Sequence, residues 1–240
     1  MAEKTTRGHD RIEIAYDEPR WRRLSDLRER STEIMRILDR AGIRTLVHGS
    51  VARGDVDSKS DVDILIPYVV PSHKIELSLV MSGVELSARR ISEATPSHAP
   101  KAHVYLTPEE DLSVTFPLLD FRSLELEFYA FGGMLNLKGL LKDRRVPGCT
   151  KRLTLIEPIS TGHIESPVVG HESEVAKIVG VSVGIVRERV RVLRRRDEIG
   201  RTGTFLDVEL GEDEIFESVL KAIVDENPAV RRLCRNRKRA

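Results

Sequence analysis

One short segment carries residue types suited to binding phosphate. Residues 43–48 have the pattern of a buried strand that ends at Gly49-Ser50, and residues 51–54 then read Val-Ala-Arg-Gly. A strand that runs into Gly-Ser and a helical turn presents backbone N–H groups and a hydroxyl, and glycine lets phosphate oxygens approach the backbone closely. The segment therefore predicts an anion-binding turn at Gly49 and Ser50.

A pair of aspartates follows this turn after a polar loop. Asp61 and Asp63 open an apolar run that continues to Ile66 and stops before Pro67. Side chains two positions apart on a strand point to one face, so both carboxylates can hold a cation that also binds phosphate oxygens. Hard oxygen ligands without cysteine or histidine favour Mg²⁺ or Mn²⁺. The spacing predicts a metal site suited to phosphoryl or nucleotidyl transfer.

The elements that must position these residues follow from apolar spacing and from glycine and proline breaks. They are an amphipathic helix over 19–41 ended by Gly42, strands over 43–48 and 62–66, a helix over 73–84, a strand of ambiguous period over 84–91, a hairpin of 103–106 and 112–118 with an acidic turn, and a helix over 123–131. The loop that carries the candidate ligands therefore lies between two strands.

Residues 142–170 are rich in glycine and proline and contain only one apolar run, over 153–156. We therefore predict a domain boundary here, with a first domain over residues 1–160 and a second over 161–240. The length of 240 residues suits two modest domains.

The second region has the spacing of a helix-turn-helix. Ala176 is small where two helices would cross, Gly180 permits a tight turn, and Ser182 can cap the second helix. The apolar residues of that helix that would pack inward are Ile185, Val186, Val190 and Leu193. We further expect a winged hairpin over 197–210 and a helix over 215–224.

Arginines of this second helix are available to a nucleic-acid backbone. The candidate phosphate contacts are Arg187, Arg191, Arg194 and Arg195. The spacing does not separate DNA from RNA, because the same basic face could position either backbone. A structural helical module that packs on the first domain remains the alternative.

Composition sets the wider limits. The net charge is +1, and the last ten residues carry six arginine or lysine side chains without an acid, which forms a basic C-terminal tail. No apolar stretch is long enough to span a bilayer, and residues 1–10 do not resemble a secretory signal, so we expect a cytoplasmic protein without a membrane partner. Cys149 and Cys234 suggest neither a disulfide framework nor a zinc site.

The first region resembles the DNA polymerase beta-like nucleotidyltransferase superfamily, and is similar to its minimal and antibiotic-modifying branches. The residues that carry the resemblance are Gly49-Ser50-Val51-Ala52-Arg53-Gly54 and Ser60-Asp61-Val62-Asp63-Ile64-Leu65. It implies an α+β fold, with a mixed β-sheet core and flanking helices, here followed by a small winged helix-turn-helix-like domain. It also implies two Mg²⁺ ions and transfer of a nucleoside monophosphate from an NTP to a hydroxyl, with release of pyrophosphate.

The resemblance implies roles for individual residues. Gly49 and Ser50 would hold the β- and γ-phosphates, with Arg53 and Ser60 as further nucleotide-binding candidates. Asp61 and Asp63 would bind metal and act in catalysis. Members of the superfamily usually add a third carboxylate on a strand that follows a hairpin. Our candidate for that catalytic and metal-binding group is Asp111, which alternates with Ser113 and Thr115, and the alternatives are Asp120, Glu125 and Glu127.

Two functions remain open from the sequence. The first is an Mg²⁺-dependent nucleotidyltransferase that acts on a hydroxyl of RNA or protein, with the second region presenting the acceptor. The second is a DNA-binding transcriptional regulator whose nucleotidyltransferase-like domain only binds a nucleotide, because without a third carboxylate the acceptor would lack its base. The base of the NTP and the oligomeric state are not determined by these patterns.

Overall fold

The fold comes from a computed structural model that describes residues 11–200 and 203–237. Its helices are α1 (Glu18–Arg40), α2 (Ser50–Arg53), α3 (Ser72–Met81), α4 (Ser123–Phe131), α5 (Leu137–Leu140), α6 (Glu172–Val179), α7 (Val183–Ile199), α8 (Phe216–Glu226) and α9 (Pro228–Arg237). Its strands are β1 (Ile12–Ala15), β2 (Leu46–His48), β3 (Val62–Leu65), β4 (Ala88–Glu93), β5 (Lys101–Tyr105), β6 (Leu112–Pro117), β7 (Met134–Asn136), β8 (Gly148–Cys149), β9 (Thr154–Ile159), β10 (Gly162–Pro167) and β11 (Leu206–Glu209). The fold is mixed α and β and is compatible with a nucleotidyltransferase core.

The described residues cluster into two compact units. Within the described residues, one unit draws on 11–32, 47–62 and 123–200, and the other on 33–46, 63–122 and 203–237. These units do not follow the predicted boundary at residue 160, because each contains segments from both sides of it.

The first unit contains a four-stranded antiparallel sheet in the order β1-β10-β9-β8, and β2 pairs with β7. Leu153, Leu155 and Val168 form one apolar cluster with Val175 of α6 and Ile185 of α7. Residues 142–170, where we predicted a domain boundary, therefore supply strands, and apolar side chains of this segment pack against the helix pair. The prolines are accommodated because Pro158 and Pro167 lie near strand ends.

The helix pair α6 and α7 has the predicted local features. Gly180 ends α6 in the left-handed conformation (φ 76°), which a residue with a side chain rarely adopts. The Ser182 side chain caps α7 by accepting a hydrogen bond from the backbone N–H of Ile185 at 3.3 Å. The four apolar residues predicted to face inward are buried: Ile185, Val186, Val190 and Leu193. These features define a helical hairpin, and they do not identify what it binds.

The winged hairpin predicted over 197–210, of which residues 201–202 lie outside the described residues, is not confirmed. Residues 197–199 continue α7, and β11 pairs antiparallel with β4, with Val208 opposite Ile91. The alternating residues after residue 203 therefore form an edge strand of the sheet that contains β4. The helix expected over 215–224 is present as α8.

The second unit contains five strands in the order β11-β4-β5-β6-β3. The predicted hairpin is confirmed as the antiparallel pair β5 and β6, with Val104 opposite Val114. One sheet face is apolar, and Phe216 of α8 meets Phe116 of β6 edge to face, with ring centroids 5.4 Å apart. This packing anchors β6, the neighbour of β3 in the strand order.

The remaining elements near the candidate site agree with prediction except at their ends. Helix α1 ends at Arg40, and Gly42 takes a left-handed conformation (φ 73°). Residues 43–45 are outside β2, since the N–H of Ile43 is bonded to the carbonyl of Leu38 and continues the helix cap. Strand β4 starts at Ala88, later than the sequence suggested.

Parts of the predicted termini lie outside the described residues, namely residues 1–10, Lys238 and Arg239. The rest of the basic tail forms α9, where Val230, Leu233 and Cys234 are buried. Within the described ranges, no helix combines the length and apolar character needed to cross a membrane.

Candidate functional site

The Gly49-Ser50 turn joins β2 to the short helix α2. Gly49 has φ 78° and ψ −146°, a conformation that favours glycine. Its N–H is bonded to the carbonyl of Gly133 at 3.0 Å, and its carbonyl accepts the N–H of Arg53 at 3.0 Å. These two hydrogen bonds hold the turn in place, and the binding of phosphates by Gly49 stays a prediction. Gly49 contributes the backbone conformation that exposes the turn.

Arg53 supports the turn from within the protein. Its side chain is 7% exposed and forms a bidentate ion pair with Asp55, with Nε to Oδ1 and Nη2 to Oδ2 distances of 2.9 Å. Its Nη1 donates to the carbonyl of Gly132. All three guanidinium nitrogens are thus engaged within this buried cluster. The prediction that Arg53 contacts phosphates is not supported by this geometry, and the residue instead fixes the backbone around the turn.

The segment at Gly132 and Gly133 must remain free of side chains for this arrangement. A Cβ added to Gly133 would lie 2.8 Å from Cγ of Arg53, and its φ is 85°. The carbonyl of Gly133 is the acceptor for the N–H of Gly49. The sequence marks these glycines only as a helix end, so their part in the site emerged from the structure.

Arg28 of α1 provides a second support. Its guanidinium donates to the carbonyls of Val51 and Ala52 at the end of α2, with distances of 3.1–3.4 Å, and to the carbonyl of Arg144 at 2.9 Å. Burial lowers the pKa of Arg28 to about 10, which still leaves the group charged at neutral pH. A cation at the end of α2 satisfies carbonyls that a helix this short leaves without intrahelical partners.

Ser50 and Ser60 meet although ten residues separate them. The Ser50 hydroxyl donates to Oγ of Ser60 at 3.1 Å, and the Ser60 oxygen also accepts the N–H of Asp57 at 2.9 Å. The two predicted nucleotide-binding serines are therefore brought together. The bond fastens the turn to the loop that leads into Asp61.

The aspartate pair stands at the head of β3. Asp61 is exposed and precedes the strand, Asp63 is half-buried within it, and Val62 between them is fully buried. The buried valine turns inward, which is the alternation that places both carboxylates on the other side of the strand. Asp63 Oδ1 accepts a hydrogen bond from the hydroxyl of Ser113 at 3.0 Å. Ser113 was not predicted as a site residue, although its alternation with Asp111 could have indicated one.

The predicted third carboxylate is engaged in the turn of the β5–β6 hairpin. Asp111 precedes β6, and its Oδ1 accepts the hydroxyl of Thr107 at 2.8 Å. Glu127, an alternative, accepts the hydroxyl and the N–H of Ser182 beside the start of α7. Across residues 11–200 and 203–237, no group of three or more His, Cys, Asp or Glu side chains is placed to hold a metal ion.

A metal held mainly by substrate does not require such a group. Mg²⁺ usually takes one or two protein carboxylates together with phosphate oxygens and water. Asp61 and Asp63 offer two hard oxygen donors, and the Ser113 hydroxyl orients one of them. The residues present therefore fit a divalent ion that arrives with a nucleotide.

A histidine on β5, next to the strand that carries Ser113, also forms side-chain hydrogen bonds. His103 of β5 bonds through Nε2 to the hydroxyl of Ser92 at 2.7 Å and through Nδ1 to the hydroxyl of Thr115 at 2.9 Å. Burial, followed by the charge of Lys101, lowers the pKa of His103 to about 4, although Asp63 opposes the shift. The imidazole is therefore neutral at physiological pH.

The predicted nucleic-acid-binding arginines lie around one open cavity. Arg187, Arg191, Arg194 and Arg195 of α7 line it together with Glu172 and Glu198. All four arginines are exposed. Arg189 belongs to the same helix but differs, since its guanidinium lies 4.8 Å from the ring centroid of Phe128, and burial lowers its pKa to about 10.

The Gly-Ser turn and the aspartate pair at the start of β3 both lie within one conserved-domain match. Residues 29–94 match the family model described as nucleotidyltransferase domain. The matched range contains Gly49, Ser50, Asp61 and Asp63 and ends just after β4. No curated protein and no solved structure matches the chain. The match supports the nucleotidyltransferase-like superfamily and a general nucleotidyl transfer function.

Proposed function

We propose that the chain is a divalent-metal-dependent nucleotidyltransferase that uses the segment from Gly49 to Asp63. The observation that carries the proposal is the family match over residues 29–94. Within that range, Ser50 of the Gly-Ser turn is hydrogen-bonded to Ser60, and Asp63 accepts a hydrogen bond from Ser113. The substrate would be an NTP, and the acceptor a hydroxyl of RNA or protein.

In the proposed reaction the acceptor oxygen forms a bond to the α-phosphorus of the NTP. The bond from that phosphorus to the bridging oxygen breaks, pyrophosphate leaves with the electron pair, and the hydroxyl proton passes to solvent. Ser50 and the turn would hold the terminal phosphates, and Arg53 and Arg28 would keep that turn in place. Mg²⁺ or Mn²⁺ bound by Asp61 and Asp63 would neutralise charge on the phosphate oxygens.

The test compares nucleotidyl transfer by the wild type and by Asp61→Asn/Asp63→Asn. Each of the four NTPs, labelled at the α-phosphate, is incubated with Mg²⁺ and with RNA or protein. We expect label to enter a macromolecule with the wild type only. Asp39→Asn is the matched control, because Asp39 lies on the exposed side of α1 within the matched range. Undiminished labelling by the double variant would refute the proposal.

A second candidate function is favoured by the arginines around the α7 cavity. In this alternative the chain is a DNA-binding regulator, and the nucleotidyltransferase-like region binds a nucleotide without transferring it. Contacts to several phosphates predict an affinity for duplex DNA that falls steeply as salt rises. Loss of binding in Arg191→Gln/Arg194→Gln, without any NTP transfer by the wild type, would favour this alternative. Absence of DNA binding even at low salt would exclude it.

A further inference from the structure

Helix α4 joins the Gly49-Ser50 turn to the helical hairpin of α6 and α7. It lies outside the matched residues 29–94, and all of these elements fall within one compact unit. At its C-terminal end, the N–H of Gly133 donates to the carbonyl of Ala130 at 2.9 Å, and the carbonyl of Gly133 accepts the N–H of Gly49 at 3.0 Å. The backbone that follows α4 therefore helps to set the position of Gly49.

The same end of α4 contacts the residues on both sides of Gly49. The ring of Tyr129 meets the ring of His48 edge to face, with centroids 5.0 Å apart. The carbonyl of Gly132, directly after the helix, accepts a hydrogen bond from Arg53. A displacement of α4 would therefore be felt at the end of β2 and at the end of α2.

The other contacts of α4 reach the start of α7. Glu127 accepts hydrogen bonds from the hydroxyl and the N–H of Ser182, the residue that caps α7. The guanidinium carbon of Arg189 lies 4.8 Å from the ring centroid of Phe128. Phe131 belongs to the apolar cluster that forms the core of the hairpin. The position of α4 therefore depends on the state of α7.

Much of α4 lies outside the core, which allows it to respond to such contacts. Its buried residues are Tyr129 and Phe131, both in the last turn. Leu124 and Phe128 are 49% and 38% exposed. A helix with few buried apolar side chains opens or shifts more easily than one embedded in a core. Its contacts with α7 consequently matter for where it lies.

The arginines of α7 make that helix sensitive to a bound polyanion. Arg187, Arg191 and Arg195 follow one another at four-residue intervals, and all three are exposed. Like charges at this spacing destabilise a helix, and phosphates that neutralise them remove the repulsion. A phosphate backbone bound there therefore stabilises α7, including its first turn, where Ser182 is bonded to Glu127.

We propose that α4 couples the two ends of this unit, so that a phosphodiester backbone bound by the α7 arginines increases the affinity of the Gly49-Ser50 turn for an NTP. The proposal rests on the proposed function, which supplies the nucleotide site. The bound backbone holds α7 and α4 together and so orders the turn before the NTP arrives. A turn that is already ordered loses less entropy on binding. Linkage requires the NTP to tighten binding of the backbone by the same factor.

The test measures binding of a non-hydrolysable NTP with Mg²⁺ to the full chain by calorimetry. Each titration is made with and without a saturating short duplex whose 3′ hydroxyls are blocked, so that the duplex cannot act as an acceptor. Duplex DNA and duplex RNA of one sequence form separate arms, which identify the backbone that α7 takes. Anisotropy of the labelled duplex, with and without the NTP, measures the reciprocal effect.

In the wild type we expect one of the duplexes to lower the NTP dissociation constant about fivefold or more, the lower end of typical coupling between sites. Glu127→Ala/Phe128→Ala removes two contacts between α4 and α7, so the factor should fall to about one while each ligand still binds alone. Leu124→Ala is the matched control, because it truncates an exposed apolar side chain of the same helix and should retain the coupling.

Phe128→Ala alone provides a second variant, since the side chain is partly exposed and its loss should preserve the fold. Its coupling should be weaker than that of the wild type, with an unchanged circular dichroism spectrum. Unchanged or weaker NTP binding with both duplexes, or full coupling in both α4 variants, would overturn the proposal. If the wild type binds NTP but neither duplex, the coupling proposal fails and the proposed function stands. If the wild type binds no NTP, the proposed function fails and the coupling fails with it.

Discussion

Removal of the Asp55 carboxylate should destabilise the unit that contains the Gly49-Ser50 turn. The Arg53 and Asp55 side chains are 7% and 9% exposed, and two nitrogen–oxygen contacts of 2.9 Å join them. Asp55→Ala would leave the Arg53 charge buried without its partner, which typically costs about 3–5 kcal/mol. Arg53→Met/Asp55→Ala removes both charges and should recover much of that loss.

The measurement is a double-mutant cycle on the free energy of unfolding in urea. Fluorescence of Trp21 is the probe, because it is the chain's one tryptophan and its range falls in the same compact unit as Arg53. We expect a coupling energy of about 2–3 kcal/mol, the upper range for residues in direct contact.

An exposed ion pair in the same unit provides the control. Arg22 and Glu18 lie one turn apart on α1, with side chains 73% and 71% exposed and a separation of 3.4 Å. Their coupling should stay near 0.3–0.5 kcal/mol. If the Arg53–Asp55 coupling were equally small, the pair would be solvated, Arg53 would be available to phosphates, and our account of its supporting role would be refuted.

Three further predictions concern residues around the site. Gly133→Ala should lower the free energy of unfolding by about 1–3 kcal/mol in urea denaturation, because its φ is 85° and the new Cβ would lie 2.8 Å from Cγ of Arg53. Ser113→Ala should lower the apparent Mg²⁺ affinity or the transfer rate about 10-fold or more, because Asp63 loses the donor that orients it; an unchanged Mg²⁺ titration would contradict this. His103 has its pKa lowered from 6.5 to about 4, so its contribution to stability is complete above pH 6.5 and is lost as pH falls towards 4; His103→Asn should flatten urea stability over that window.

Matched substitutions separate these effects from general damage. Gly83→Ala tests backbone strain alone, since Gly83 has φ 82° but open space around a Cβ, and it should cost less than Gly133→Ala. Ser78→Ala removes an exposed hydroxyl that donates to the carbonyl of Lys74, and it should leave the Mg²⁺ titration unchanged.

Local signals carried most of the correct sequence predictions. Gly180 and Ser182 were assigned to a helix end and a helix cap from residue type alone, and both conformations depend only on neighbouring backbone. The β5–β6 hairpin was likewise predicted from two apolar runs around a polar turn. Features of this kind are encoded within a few residues.

Long-range pairing was not accessible in the same way. Residues 142–170 contain enough glycine and proline to suggest a domain boundary, yet β10 pairs with β1 and β9, with Glu165 opposite Ile12 on β1. No local pattern identifies a partner strand about 150 positions away. The same limit explains β11, whose pairing with β4 replaced the expected wing.

The candidate site likewise combines features that local sequence predicts with contacts that depend on the fold. Gly49, Ser50, Asp61 and Asp63 were predicted from the spacing, and their role in binding stays a prediction. Of the predicted residues, Ser50 and Ser60 do meet. The sequence could not reveal that the guanidinium of Arg53 forms an ion pair with Asp55 and a hydrogen bond to the Gly132 carbonyl. The Ser113 contact with Asp63 depends on strand order, which only the fold supplies.

Calorimetric titration of the full chain with a non-hydrolysable NTP, with and without Mg²⁺, tests the central claim most directly. We predict binding by the wild type that depends on Mg²⁺ and is lost in Asp61→Asn/Asp63→Asn, with Asp39→Asn unchanged. Binding that is equally tight without a divalent ion, or that survives in the double variant, would contradict the claim that this aspartate pair holds a cation against the nucleotide.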